Sequence, residues 1–328
     1  MRTIALALLI SASCFAANVG TLGGKTKTDA QGRIVTLNLH SSWINDSDLL
    51  EIARLPQLAD LDLSETRITD IGFQQLKDLK NISRLNLYYA EQIGDGTLAA
   101  VREWKQLRHL NLRGTKVTDA GLVHLAGLPI ESLDVGYSLF TDNGFENLVN
   151  LPQLTHLAVG GNKVTDTGLN SLRLMPNLIV LDLSGAQRTD SGLWAASITD
   201  RSIETLNFLT RLESLNLRGA KFSDEGFAKL GRAKGLRELN LGETQLSAKG
   251  LSGLSNFPKL ETLSLYKAAR VGDDAVPVLS ALKTLRWLDI TGTTITASGV
   301  QTLKAANPGC TILWDESAAQ QSATKKSR

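Results

Sequence analysis

Leucine recurs along this chain in the order L-x-x-L-x-L. The last apolar residue of successive blocks is Leu39, Leu63, Leu87, Leu112, Val135, Val159, Leu183, Leu217, Leu241, Leu265 and Ile290. The spacings are 24, 24, 25, 23, 24, 24, 34, 24, 24 and 25 residues, so eleven blocks share one period with a single exception. A period of this length marks a solenoid, in which each repeat buries its apolar face only against its neighbours.

The block from Leu58 to Lys80, LADLDLSETRITDIGFQQLKDLK, shows the logic of one unit. Leu61 and Leu63 alternate with polar residues, which predicts a short strand. Ile68 is the next buried position. Thr69-Asp70 then stands where a helix begins: a short oxygen side chain caps free amides, and an acid suits the positive helix end. Phe73, Leu76 and Leu79 follow at helical spacing. Stacked strands form a parallel sheet with rungs about 4.8 Å apart. Helices are wider than strands, so the stack curves with the sheet on its concave face.

These repeats resemble those of leucine-rich repeat proteins, of the LxxLxLxxTxITDxGLxxL type found among exported bacterial proteins. They are also similar to the repeats of F-box substrate receptors. The resemblance covers roughly residues 34 to 314 and implies an α/β horseshoe solenoid that serves as a binding scaffold. No F-box-like segment precedes the repeats, so a ubiquitin-ligase adaptor is the least favoured role.

Three columns of residues are expected on the exposed sheet face. The middle one, from Asn38, Asp62 and Asn86 through to Asp289, is short and polar almost throughout and reads as a hydrogen-bonded ladder. The flanking columns are irregular and hold the candidate partner-binding residues His109, His156 and Trp287 on one side and Tyr88, Arg113, Arg218 and Tyr266 on the other, with Tyr89 and Tyr137 alongside. All four tyrosines fall on or beside this face. Exposed Tyr, Trp and Arg are the residues that carry binding energy at interfaces. Aromatic residues also favour strands for packing alone.

The 34-residue spacing has a local cause. Residues 181 to 206 contain the motif twice, as Thr189-Asp190 and Thr199-Asp200. Asp200 stands twelve residues before Leu212, as Asp224 does before Leu236, so the second motif leads the regular helix. Ile198 then fills the buried slot, and the extra ten residues form a rim loop near 184–197. That loop carries Arg188, Asp190 and Trp194 and has room for one helical turn. Such insertions map to one face of a solenoid, often the binding face.

The ends read differently. Residues 1–16 look like a signal peptide, with Arg2, an apolar run Ile4 to Ile10 and small residues before the cut. A lipoprotein acylated at Cys14 is the alternative. Residues 17–33 predict an N-terminal cap with a hairpin strand turning at Asp29 to Gly32. Residues 34–306 are the repeats, 307–315 a C-terminal cap, and 316–328 a disordered tail. Cys310 is expected to be a buried structural thiol.

Composition narrows the function. With 35 basic and 33 acidic residues the net charge is +2, which argues against nucleic acid as partner. No later run is long and apolar enough to span a bilayer. GxSxG, HExxH and Walker motifs are absent, so no enzyme and no cofactor is expected. His109 and His156 share a column two rungs apart, about 10 Å, too far for one ion. No metal is expected there, nor at Asp60, Asp62 and Glu65, where Arg84 offers a charge pair. The sequence thus predicts an exported scaffold, periplasmic, surface-bound or secreted, that recognises a protein; a polysaccharide ligand or a structural envelope role stands as the alternative.

Overall fold

The structure, a computed structural model, describes residues 22–315. The signal-peptide, Cys14 and tail expectations lie outside the described residues. The chain divides into two compact units, one ending at Leu154 and one beginning at Thr155.

In the first unit, β1 (Lys25–Thr28) runs antiparallel to β2 (Ile34–Asn38). The Asp29 carboxylate closes the turn by accepting from the amides of Gln31 and Arg33 and from the Arg33 guanidinium. All four residues of β1 are exposed, and its two lysines blunt an open sheet edge. From β2 the ladder is parallel through β3 (Asp60–Asp62), β4 (Arg84–Asn86), β5 (His109–Asn111) and β6 (Ser132–Asp134). Its register pairs Thr36, Asp60, Arg84, His109 and Ser132, so the column inferred from spacing is one line of neighbours.

The second unit holds β7 (His156–Ala158), β8 (Val180–Asp182), β11 (Ser214–Asn216), β12 (Glu238–Asn240), β13 (Thr262–Ser264), β14 (Trp287–Asp289) and β15 (Thr311–Leu313) in one parallel ladder. Two further strands, β9 (Ala186–Thr189) and β10 (Gly192–Ala195), pair with each other outside it. After β15 the Trp314 indole donates to the Ile295 carbonyl at 3.1 Å. Cys310, expected to be buried, is only half-buried. It lies in the turn before β15, where its neighbour Gly309 is exposed.

The interior is leucine in layers. Leu61, Leu63, Ile68, Phe73 and Leu76 are fully buried. Aromatic pairs fill the wider helical side: Phe73 on Trp104 with ring centres 5.7 Å apart, and Phe222 on Phe227 at 5.8 Å.

The T-D-x-G motif divides three tasks among three residues. Thr69 Oγ1 caps its own helix, accepting from the Gly72 amide. The aspartate instead reaches the following repeat: the Thr118 amide donates to Asp95 Oδ1 at 2.8 Å and the Thr118 hydroxyl to Oδ2 at 2.6 Å. Asp119 holds Thr141 in the same way, and in the second unit Asp200 holds Ser223. The glycine makes room for the aspartate that arrives, since a Cβ at Gly121 would overlap Asp95 Oδ1. The acid thus ties repeat to repeat as well as answering its own helix end.

Candidate functional site

Each strand leaves the sheet through the same local device. The side-chain oxygen of the middle-column residue accepts the amide two residues on: Asn86 from Tyr88 at 3.2 Å, Asn111 from Arg113 at 3.0 Å, Asp134 from Gly136 at 2.8 Å. The second unit repeats this at Asn216 with Arg218 and Asp289 with Thr291. The column was expected to be a ladder across rungs. A link of that kind joins Asn38 to Asp62, while Asn216 reaches Ser184 in the neighbouring column. A short Asx oxygen reaches its own turn more easily than the next strand.

The turn forces the next residue into the left-handed region. In the first unit these residues are Ser41, Glu65, Tyr89, Gly114 and Tyr137, with φ between 50° and 72°. In the second they are Gly161, Gly185, Gly219, Glu243, Lys267 and Gly292. Five of the eleven are glycine, which adopts this conformation freely. A residue with a Cβ costs about 1–2 kcal/mol more there. Six positions bear that cost, and they include Tyr89 and Tyr137.

In the first unit these side chains gather along the strand-exit rim. The rings of Tyr88 and Tyr89 meet edge to face at 4.6 Å. Arg113 lies over the Tyr137 ring at 4.4 Å and stands 3.6 Å from the Asp134 carboxylate. The Tyr89 ring lies so close over Gly114 that a Cβ there would meet it at 2.9 Å. Burial raises the Tyr89 phenol above its ordinary pKa, Tyr88 adds to the rise, and Arg113 partly opposes it. His109 stands apart from this cluster, half-buried on β5 in the groove that Arg84 and Asp60 also line. Arg84 and Asp60 form the expected charge pair at 3.9 Å.

The second unit has its own cluster. Arg218 donates to Glu243 at 2.7 Å and lies over the Tyr266 ring at 5.1 Å, while the Lys267 ammonium covers the same ring at 5.0 Å. The hydrogen bond from Arg218 holds the Glu243 carboxyl below its ordinary pKa. Trp287, half-buried on β14, shares a groove with Arg218 and Tyr266. His156 is exposed at the start of β7.

Arg188, Asp190 and Trp194 are on the insertion, as their spacing implied, but the insertion is not a helical turn. It is a hairpin: Arg188 pairs with Leu193 and Gln187 with Trp194. Thr189, Ser191 and Gly192 close it, with the Thr189 hydroxyl donating to the Gly192 carbonyl and the Trp194 indole to Ser191 Oγ at 3.0 Å. Gly192 takes a φ of 114°, which suits the tight turn between the two strands. Ile198, only 2% exposed, occupies the core slot beyond it.

One pair escaped the sequence reading. Trp43 is 83% exposed, and Arg67 of the next repeat stacks on it at 5.1 Å. Both directly precede a buried isoleucine, Ile44 and Ile68. Aligning the repeats on that slot, rather than on the strands, places them in one column.

Among the described residues, no three His, Cys, Asp or Glu stand close enough together to hold a metal ion. Burial pushes the Cys310 thiol up, away from the thiolate a nucleophile needs. No helix among the described residues is long and apolar enough to cross a membrane.

Short parallel strands, Asx-closed exits and T-D-x-G helix starts give this chain a leucine-rich repeat fold. A leucine-rich repeat family model matches residues 106–126 and 150–172. An internalin (inlF) from Listeria monocytogenes is similar in structure, with a TM-score of 0.60 and 24% identity over 81% of this chain and 70% of that one. The structure of PEPR1-AtPEP1 is similar at a TM-score of 0.48 and 15% identity, over 88% of this chain but only 43% of that one. No curated protein matches in sequence. These likenesses are likenesses of fold.

Proposed function

We propose that this protein is an exported, non-enzymatic scaffold that binds a protein partner through the exposed sheet faces and strand-exit rims of its repeats. One observation carries the reading: bulky or charged side chains stand at five of the left-handed positions, Glu65, Tyr89, Tyr137, Glu243 and Lys267, where glycine is free of strain. Residues held in sparsely populated backbone regions cluster at binding and active sites. Tyr89, Tyr137, Glu243 and Lys267 are also the residues that join the aromatic and arginine clusters. Rigid rings with few rotamers suit a preformed binding surface, because little entropy is lost on contact.

A protein is favoured over a polysaccharide for a geometric reason. Sugars stack on open ring faces, but Arg113 covers a face of Tyr137, and Arg218 and Lys267 both lie against Tyr266. Paired cations and rings instead offer mixed polar and apolar contacts. Export follows the signal-peptide reading of residues 1–16, with lipidation at Cys14 as its alternative.

The test is capture from the envelope and medium of the source cells. One bait is the wild-type chain; a second carries Tyr88→Ala, Tyr266→Ala and Trp287→Ala; a third carries Arg188→Ala and Trp194→Ala. The reading expects a protein captured by the first and lost by the still-folded second. Loss by the third as well brings the hairpin into the site. Equal capture by the first two baits moves the site off the sheet faces. A captured ligand that survives protease and is destroyed by glycosidases supports the polysaccharide alternative.

A further inference from the structure

The strand-entry edge of the second unit holds a groove that the reading above does not use. Its volume is about 590 Å³, and its charged lining is Arg237, Lys259, Lys283 and Arg286 against the single acid Glu261. Four cations less one carboxylate leave +3 in this groove, while the whole chain carries only +2. Arg237, Glu261 and Arg286 each directly precede a strand, β12, β13 and β14, so they occupy adjacent rungs about 4.8 Å apart.

The cations are held in place. Glu261 sits between two guanidiniums: Arg237 Nη1 donates to its Oε1, and Arg286 Nε stands 3.7 Å from its Oε2. The Lys283 ammonium is fixed to the far wall by donating to the Ala306 carbonyl at 2.9 Å. Lys259 has neither a hydrogen bond nor an ion pair among the described residues. The Arg286 side chain remains 79% exposed, its terminal N–H groups open to a ligand. Charges spread over a few rungs lie within about one screening length of each other, so their fields add at physiological salt. Pro258 and Pro308 form part of the walls, and their fixed φ stiffens both sides.

We propose that this groove is a second binding site, and that it takes an acidic, extended peptide segment. Arg237 and Arg286 stand two rungs apart, about 9.6 Å, with Glu261 between them, a distance that a short extended segment bearing several carboxylates can span. The other side chains face Pro258, Ala306 and Pro308, an apolar wall. No aromatic ring lines the groove, so a sugar has no face to stack on. Arginine's planar fork pairs carboxylates two bonds at a time; Arg286 faces Glu261 through Nε alone and keeps its Nη groups for a ligand, while Arg237 already gives Nη1 to Glu261.

The site is independent of the sheet faces, and its test keeps the two apart. A short fluorescein-labelled peptide of alternating Glu and Ala is titrated into the full chain and followed by anisotropy. A Lys-Ala peptide and a sulfated oligosaccharide are the comparison probes. The Glu-Ala peptide is expected to bind the wild type and to weaken as salt rises from about 50 to 200 mM. Lys259→Glu with Arg286→Gln, both exposed changes, is expected to lower its affinity about tenfold or more with no change in melting temperature. The variant with Tyr88→Ala, Tyr266→Ala and Trp287→Ala is expected to bind it as the wild type does. No binding at low salt, unchanged affinity in the charge variant, or a preference for the sulfated oligosaccharide would each overturn the proposal.

Discussion

Asp95 and Gly121 are separated in sequence yet form one device, and their coupling is measurable. Removing the carboxylate in Asp95→Ala takes away two charge-assisted hydrogen bonds, to the Thr118 amide and hydroxyl. Such bonds contribute about 1.5–3 kcal/mol each when buried; the site is half-buried, so about 2–4 kcal/mol is expected for both. Gly121→Ala in the wild-type background drives a methyl group into the same carboxylate. Overpacking of that kind costs about 1–3 kcal/mol, of which helix propensity returns about 1. In the double variant the obstructing oxygen is gone. The nearest remaining contact is then the Asp95 Cα at 3.1 Å, which a small shift relieves. The double variant is therefore expected to be no less stable than Asp95→Ala alone, with a coupling of about 1–3 kcal/mol. Urea unfolding of the four proteins, followed by circular dichroism, measures it. Effects that add to within about 0.5 kcal/mol would refute the shared-space account of T-D-x-G.

Other consequences follow from the same geometry. Asp200 is held below its ordinary pKa by the Ser223 hydroxyl and amide. At Asp166 burial pulls upward, but donors from Ser202 and Thr199 outweigh it. A depressed carboxyl stabilises above its unfolded value of about 3.9 and loses that contribution as pH falls through the folded value. Melting temperature is therefore expected to drop below about pH 4, and Asp200→Asn to flatten the decline; an unchanged acid limb would count against the bridging role. Gly160→Ala is expected to destabilise by about 1–3 kcal/mol, because its Cβ would run into the Ser184 carbonyl, which is backbone and cannot swing away. Deleting residues 186–195 restores the usual five-residue step from Leu183 to Ile198. The fold is expected to survive, since the hairpin's residues are exposed or half-exposed, and a collapse on calorimetry would show that the hairpin packs structurally.

The strand register was legible because two periods agree. Alternation by two fixes which leucines point inward, and the 24-residue repeat fixes which rung each belongs to. The columns Thr36 to Ser132 and His156 to Trp287 follow from those two numbers once the ten-residue insertion between Val180 and Ser214 is allowed for. The position of the insertion was legible by the same counting. Its conformation was not, because a short insertion with a T-D pair and no clear period of its own fits a turn of helix or a hairpin. The polar middle column was read as cross-rung because spacing cannot distinguish Asn111 reaching its neighbour from Asn111 reaching its own chain. Trp43 was missed because it belongs to a column outside the strands. The left-handed positions left only a faint trace, five glycines among eleven equivalents, and the six exceptions are what gives the rim its character.

The central claim is that the five bulky or charged side chains among those six are retained for binding rather than for folding. The direct measurement compares the wild type with Tyr89→Gly, Glu243→Gly and Lys267→Gly combined, reading melting temperature and partner capture on the same preparations. Glycine releases about 1–2 kcal/mol of strain at each site. Against this stand one exposed ion pair, worth about 0–1 kcal/mol, the Tyr88–Tyr89 ring contact, about 0.5–1.5, and the Lys267–Tyr266 cation–π contact, about 0.5–1. The account expects a melting temperature that holds or rises while capture is lost. A melting temperature that falls while capture persists would contradict it, and would make the rim a packing feature of the repeats.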